Sequence, residues 1–124
     1  MRRSLSKRKV NQGSFAIGPH LRVAVVIDKS TYTRELVLAS GAFALSLPCR
    51  AVADLAYTVG SVSGRDIAGG DKFAHYGIGC VAGPLLGLPL VEGCVAWLEC
   101  RHLAEPQAEE RYDTFYGEVV SAAA

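Results

Sequence analysis

Asp71-Lys72-Phe73-Ala74-His75-Tyr76-Gly77-Ile78-Gly79 places an acid, a base and an imidazole at the mouth of an apolar segment that runs uncharged from Phe73 to Val91. How this stretch is read decides the fold. Asp71 follows Gly69-Gly70 and stands where a helix N-cap belongs. Its carboxylate there satisfies free N–H groups of the first turn and complements the helix dipole. The nineteen residues from Phe73 to Val91 approach the roughly twenty that a spanning helix needs. Pro84 and Pro89 break any single straight helix. The pattern therefore predicts a helix from Asp71 to about residue 86 and a tight turn at Gly87-Leu88-Pro89. A second helix over Leu90 to Leu103 completes a short helical hairpin. Gly79, Gly83 and Gly87 recur every fourth residue. Such a stripe lets helices approach closely in lipid, so helix–helix self-association through these glycines is expected.

Outward from this hairpin, Pro106 ends the second helix and residues 107–124 read as a third. Tyr112, Phe115, Tyr116, Val119 and Val120 follow at three- and four-residue steps, an apolar helical stripe. On the other side, Gly60 to Gly70 is a loop, with four glycines and two serines. Residues 36–47, LVLASGAFALSL, are uncharged and apolar. Twelve residues are too few to span a bilayer and fit a signal-peptide core. Lys29 and Arg34 precede that run, and Ala51-Val52-Ala53 forms an A-x-A cleavage pattern after it. The competing reading is an uncleaved membrane or buried helix over residues 33–59, interrupted at Pro48. Leu21 to Ile27 (LRVAVVI) is short and β-branched, consistent with a strand, and Asp28-Lys29-Ser30-Thr31 reads as a turn and a helix cap.

The 124 residues suit one domain. Half are hydrophobic and 20% charged, a balance shifted toward apolar, while the net charge is +1. Arg2, Arg3, Lys7, Arg8 and Lys9 make a basic head, and Glu105, Glu109, Glu110 and Asp113 an acidic tail. A nucleic-acid binder keeps its basic residues on the folded body beside stacking aromatics, so no nucleic-acid partner is expected. The basic head is expected to be disordered. The organisation that follows is a flexible arm over residues 1–32, a signal-like or membrane helix over 33–59, and a helical domain over 60–124. The fold class is all-α, membrane-associated or exported, with membrane lipid as a partner. The four cysteines, Cys49, Cys80, Cys94 and Cys100, form no C-x-x-C pair and read as small buried residues. Export would allow a Cys80–Cys94 or Cys80–Cys100 disulfide, with connectivity left open.

Asp71 and His75 are four apart on one helix, Glu99 and His102 three apart on the next, and Asp113 lies on the third. Side chains at such steps converge. Asp71, His75, Glu99 and His102 are thus a candidate divalent-metal set, and Glu99-x-x-His102 is an element of bundle di-metal sites. The alternative is a structural polar cluster of Asp71, His75, Glu99 and Asp113 that pins the helices together. Lys72 is expected to extend to water or lipid phosphate.

The Asp71-Lys72-x-x-His75-Tyr76 opening with Gly79 resembles that of the YfiM-like bacterial envelope lipoproteins, with a looser likeness to the VanZ-like membrane family. The resemblance covers residues 71–120, with Glu99 at the family's glutamate and Asp113 with Gly117 at its last pair. It implies a bacterial membrane or periplasmic location. The expected function is a non-enzymatic envelope protein that needs no cofactor. The alternatives are a metal-dependent envelope hydrolase and a phage holin-like membrane protein.

Overall fold

The computed structural model describes residues 21–124; the basic head expected to be disordered lies outside them. Leu21 to Ile27 extends as expected. Val23 and Val25 turn inward between exposed Arg22, Ala24 and Val26 in strand β1 (Arg22–Val26). After Asp28, whose carboxylate accepts from the Ser30 amide and hydroxyl at 2.8 and 2.6 Å, helix α1 (Tyr32–Ser40) begins. Thr31 caps it, its hydroxyl accepting from Arg34 N–H at 3.3 Å.

The apolar run at residues 36–47 is neither a signal core nor a single helix. Gly41 takes a left-handed conformation (φ 71°), ends α1, and starts strand β2 (Ala42–Leu47). A residue without Cβ adopts that conformation freely, and the apolar residues beyond it, Phe43 and Leu45 among them, pair as a strand with β5. Helix α2 (Ala53–Gly60) follows a single 3-10 turn at Arg50–Val52, which absorbs the A-x-A pattern. Among the described residues no helix is long and apolar enough to cross a membrane.

The uncharged stretch after Asp71 is not a helical hairpin. Asp71 does cap a helix, its carboxylate accepting from Ala74 N–H at 3.2 Å. That helix, α3 (Lys72–Tyr76), lasts five residues before Gly77 ends it at φ 64°. Strands β3 (Cys80–Ala82) and β4 (Pro89–Val91) then pair antiparallel. Their turn is closed by Gly83 N–H to Leu88 O at 2.8 Å and Gly87 N–H to Gly83 O at 3.1 Å. The glycines expected to bring helices together let carboxylates in. A Cβ at Gly79 would lie 2.6 Å from Glu92 Oε2, and one at Gly83 2.1 Å from Glu99.

The remaining two predicted helices are mostly strands as well. β5 (Ala96–Leu103) and β6 (Thr114–Ala123) flank a short helix, α4 (Pro106–Tyr112). The four long strands form one curled antiparallel sheet in the order β1-β6-β5-β2. The fold is thus mixed α and β, not all-α. Val37 of α1, Phe43, Cys100, Phe115 and Val119 are buried together against it. Gly117 is required where Phe43 crosses β6, because a Cβ there would sit 2.5 Å from the Phe43 ring.

A register shift opens between Glu99 and Cys100: Glu99 pairs with Ser121 but Cys100 with Val119, leaving Val120 as an extra residue in β6. Glu99 and Cys100, adjacent along the strand, are both fully buried. Successive side chains of a strand leave opposite faces. Cys100 enters the core under α1, and Glu99 meets the β3–β4 turn.

Candidate functional site

Three local structures meet around a cavity of about 700 Å³. The first is the start of α1, which brings Ser30, Thr31 and Thr33. The second is the loop after α2, which brings Ser61 and Ser63. Ser61 donates to Thr58 O at 2.7 Å, and Ser63 accepts from Arg65 N–H at 3.2 Å. The third is the Gly70-to-Phe73 entry into α3, which brings Lys72. Lys72 Nζ turns inward and donates to Val59 O rather than reaching outward as expected.

Tyr32 holds these walls together. Its ring packs on Gly64 and Gly70, so closely that a Cβ at Gly64 would lie 2.7 Å from the ring and one at Gly70 3.3 Å from the phenol oxygen. Arg65 lies over the other side of Tyr32, 5.8 Å from its centroid. It ties the loop to α1 through Ser30 O at 2.8 Å and Glu35 Oε1 at 2.5 Å. Leu36, Val62 and Phe73 give the cavity an apolar side. The result is a concave site with a cluster of hydroxyls, a lysine and an apolar wall, the usual composition of a small-molecule pocket.

Asp71, one of the expected ligands, lines this cavity but acts as the α3 cap. The structure does not bring the other expected residues to it. His75 is exposed at the end of α3, edge-on to Tyr76 at 4.7 Å. Glu99 is 1% exposed and accepts from the backbone N–H groups of Leu85, Leu86 and Leu88 at 3.0, 3.0 and 3.2 Å. His102 pairs with Glu109 at 2.9 Å, its ring packed on Phe115. Asp113 takes φ 51° at the end of α4 and pairs with Arg34 and Lys29, each at 2.9 Å. Among the described residues no three His, Cys, Asp or Glu side chains are placed to hold a metal ion. The E-x-x-H spacing brings side chains together only on a helix. On β5, residues three apart point to opposite faces.

Residues 13–124 match the model of the flavin reductase like domain. The chain belongs to the flavin reductase-like family. The uncharacterized protein YddH of Escherichia coli (strain K12) is 57% identical over 104 residues, covering 83% of this chain and 53% of YddH. Among solved structures, the FMN-binding domain of a flavin reductases-like enzyme from Shewanella baltica OS155 is similar, with a TM-score of 0.76 and 38% identity. That match covers 83% of this chain and 53% of the other. Flavoredoxin of Desulfovibrio vulgaris (Miyazaki F) matches with a TM-score of 0.71 and 29% identity, covering 83% of this chain and 52% of the other. The chain thus spans about half the length of these relatives.

This membership overturns the resemblance to YfiM-like and VanZ-like proteins, which rested on nine residues around a helix start. It also overturns the envelope structural role, the metal-dependent hydrolase and the holin, along with the signal-peptide and lipoprotein assignments. The expectation of no cofactor, or of a divalent metal, is overturned by the same membership, since the similar Shewanella baltica domain is FMN-binding. Ser30, Thr33, Ser61, Ser63 and Lys72, which line the cavity, are not among the ligand residues expected from the sequence. The local cue is the pair of hydroxyls set between glycines in Gly60-Ser61-Val62-Ser63-Gly64, whereas Ser30 and Thr33 stand beside no glycine.

Proposed function

We propose that this chain builds part of a flavin mononucleotide site in a redox protein, and that the cavity between α1, the post-α2 loop and α3 receives the phosphorylated ribityl chain. The carrying observation is the polar lining, in which Ser30 and Ser61 already donate to Asp28 Oδ1 and Thr58 O and keep their oxygens as acceptors. Hydroxyls of Ser30, Thr33, Ser61 and Ser63 line the cavity together with Lys72. These are groups that suit a polyhydroxylated chain ending in a dianion, and charge-assisted bonds to phosphate are the strong ones. An ammonium has three donors; one is directed at Val59 O, which fixes where the charge sits. Leu36, Val62 and Phe73 supply the apolar surface that excludes water beside a flat ring system. The names of the solved relatives, one FMN-binding and one a flavoredoxin, support the same reading. When bound, a flavin supplies hydride or electron transfer, chemistry that belongs to the cofactor. The residues described here bind and orient it.

The test is a titration of flavin fluorescence with protein. FMN should be quenched on binding, riboflavin should bind more weakly, and Lys72→Met should weaken FMN by about 10-fold or more, the effect of one hydrogen bond to a charged group. Riboflavin, which lacks the phosphate, should be indifferent to Lys72→Met. Equal affinity for the two flavins, or an FMN affinity unmoved by the substitution, would remove the phosphate assignment.

A further inference from the structure

β2 and β5 pair in register as far as Leu47 with Ala96, and Val95 N–H still reaches Leu47 O at 2.9 Å beyond that point. Cys49 lies two residues past the end of β2 and Cys94 two residues before β5, so both stand at the same end of the same strand pair. The Cys49 thiol donates to the carbonyl of Gly93, the residue joined to Cys94, at 3.1 Å. The turn holding Cys94 also packs on the 3-10 turn after Cys49: a Cβ at Gly93 would lie 3.2 Å from Val52 Cγ1. Neither thiol is buried, whereas Cys80 and Cys100 are, and none of the four is in a disulfide.

We propose that Cys49 and Cys94 form a redox-active pair that closes to an intrachain disulfide when the protein meets a peroxide. The inference stands apart from the flavin reading. The Cys49 thiolate attacks one peroxide oxygen and the O–O bond breaks. This leaves a sulfenic acid on Cys49, and the other oxygen leaves as hydroxide, which takes a proton to become water. The Cys94 sulfur then attacks the sulfenic sulfur, the S–S bond forms, and the sulfenic oxygen leaves as a second water. Two thiols lose two electrons and two protons, and one peroxide becomes two waters. The first step is assigned to Cys49, since burial, and then the charge of Cys49 beside it, push the Cys94 thiol up and disfavour its thiolate. Cys100 stays out of the chemistry, buried and with its thiol pushed up to about 11.

The closed loop would run from Cys49 to Cys94 and include both Ser61 and Lys72, so oxidation would fasten two walls of the cavity to the sheet. The experiment treats the reduced chain with a small excess of hydrogen peroxide, alkylates the remaining thiols and maps the peptides. The expected result is a monomer about two daltons lighter, two hydrogens having left, with a Cys49–Cys94 peptide that dithiothreitol releases. Cys80 and Cys100 should be alkylated only after unfolding. C49S and C94S should each abolish the cross-link, and C80S should retain it. The oxidised wild type should melt several degrees higher than the reduced form, and C49S should show no such shift. Sulfinic acid on Cys49 without a cross-link, a bond to Cys80, or a bond between two copies would overturn the proposal.

Discussion

Glu99 shows how a single carboxylate can fix a turn. Three backbone N–H groups from Leu85 to Leu88 converge on its two oxygens, and the carboxylate itself is buried. Without it those donors would be left unsatisfied, at roughly 1–3 kcal/mol each. Glu99→Leu should therefore destabilise the protein by about 3 kcal/mol or more in urea unfolding. Glu99→Gln, which keeps one acceptor oxygen, should cost less. Gly83 belongs to the same unit, since a Cβ there would meet the carboxylate. Gly83→Ala should be destabilising alone but add little to Glu99→Ala, a non-additivity expected of residues in contact. Additive losses in that double-mutant cycle would show that the turn is held by something else.

At the scale of elements, the sheet depends on a side chain that reaches across a strand. Phe43 of β2 fills the space over Gly117 of β6. Gly117→Val should destabilise the protein through overpacking, by about 1–3 kcal/mol, and lower the melting temperature. Phe43→Leu should recover part of that loss in the double variant, which thermal melts can read. The same glycine explains why the sequence of β6 has a helical pattern. Its inward set is Phe115, Gly117 and Val119; with a glycine in the middle, the alternating signal loses its central apolar residue. Tyr112, Phe115, Tyr116 and Val119 then leave a false helical spacing. In β5 the buried neighbours Glu99 and Cys100 break alternation in the other direction. Local punctuation was nevertheless legible: the β1 strand, the Thr31 cap, the Asp71 cap and the Gly60–Gly70 loop all stand where the residues place them. Each wall of the cavity could be read as a turn or a cap. Their meeting could not, because it depends on Tyr32 packing against Gly64 and Gly70, residues far along the chain that only the tertiary fold brings to it.

For the molecule as a whole, α4 is clasped to the sheet by His102–Glu109 and by Arg34, which reaches Asp113 Oδ1, Glu109 O and Ile27 O and lies over the Phe115 ring at 4.9 Å. Burial alone would raise the Glu109 carboxyl, but the Glu105 N–H and His102 outweigh it and hold the group below its ordinary 4.5. A carboxyl lowered by folding stabilises the protein above its unfolded value, and that stabilisation is lost as pH falls through the folded one. Urea midpoints should therefore drop as the pH goes below about 4.5, the unfolded value. Glu109→Gln should reduce that dependence and be less stable at neutral pH. A remaining acid slope is expected from Asp28, whose carboxyl is lowered by the Ser30 hydroxyl and amide. An unchanged slope in Glu109→Gln would show that this clasp does not govern acid stability. The register shift at Val120 bears on length. Ser121 faces Glu99 and Val119 faces Cys100, so over their paired span β6 carries one more residue than β5. Excising Val120 leaves every other pairing in place and keeps Val119 and Ala122 two apart, on one side. Excision of Tyr116 instead turns Phe115 away from that side. The sheet has one spare place, and the chain can lose a residue there more cheaply than anywhere else along β6.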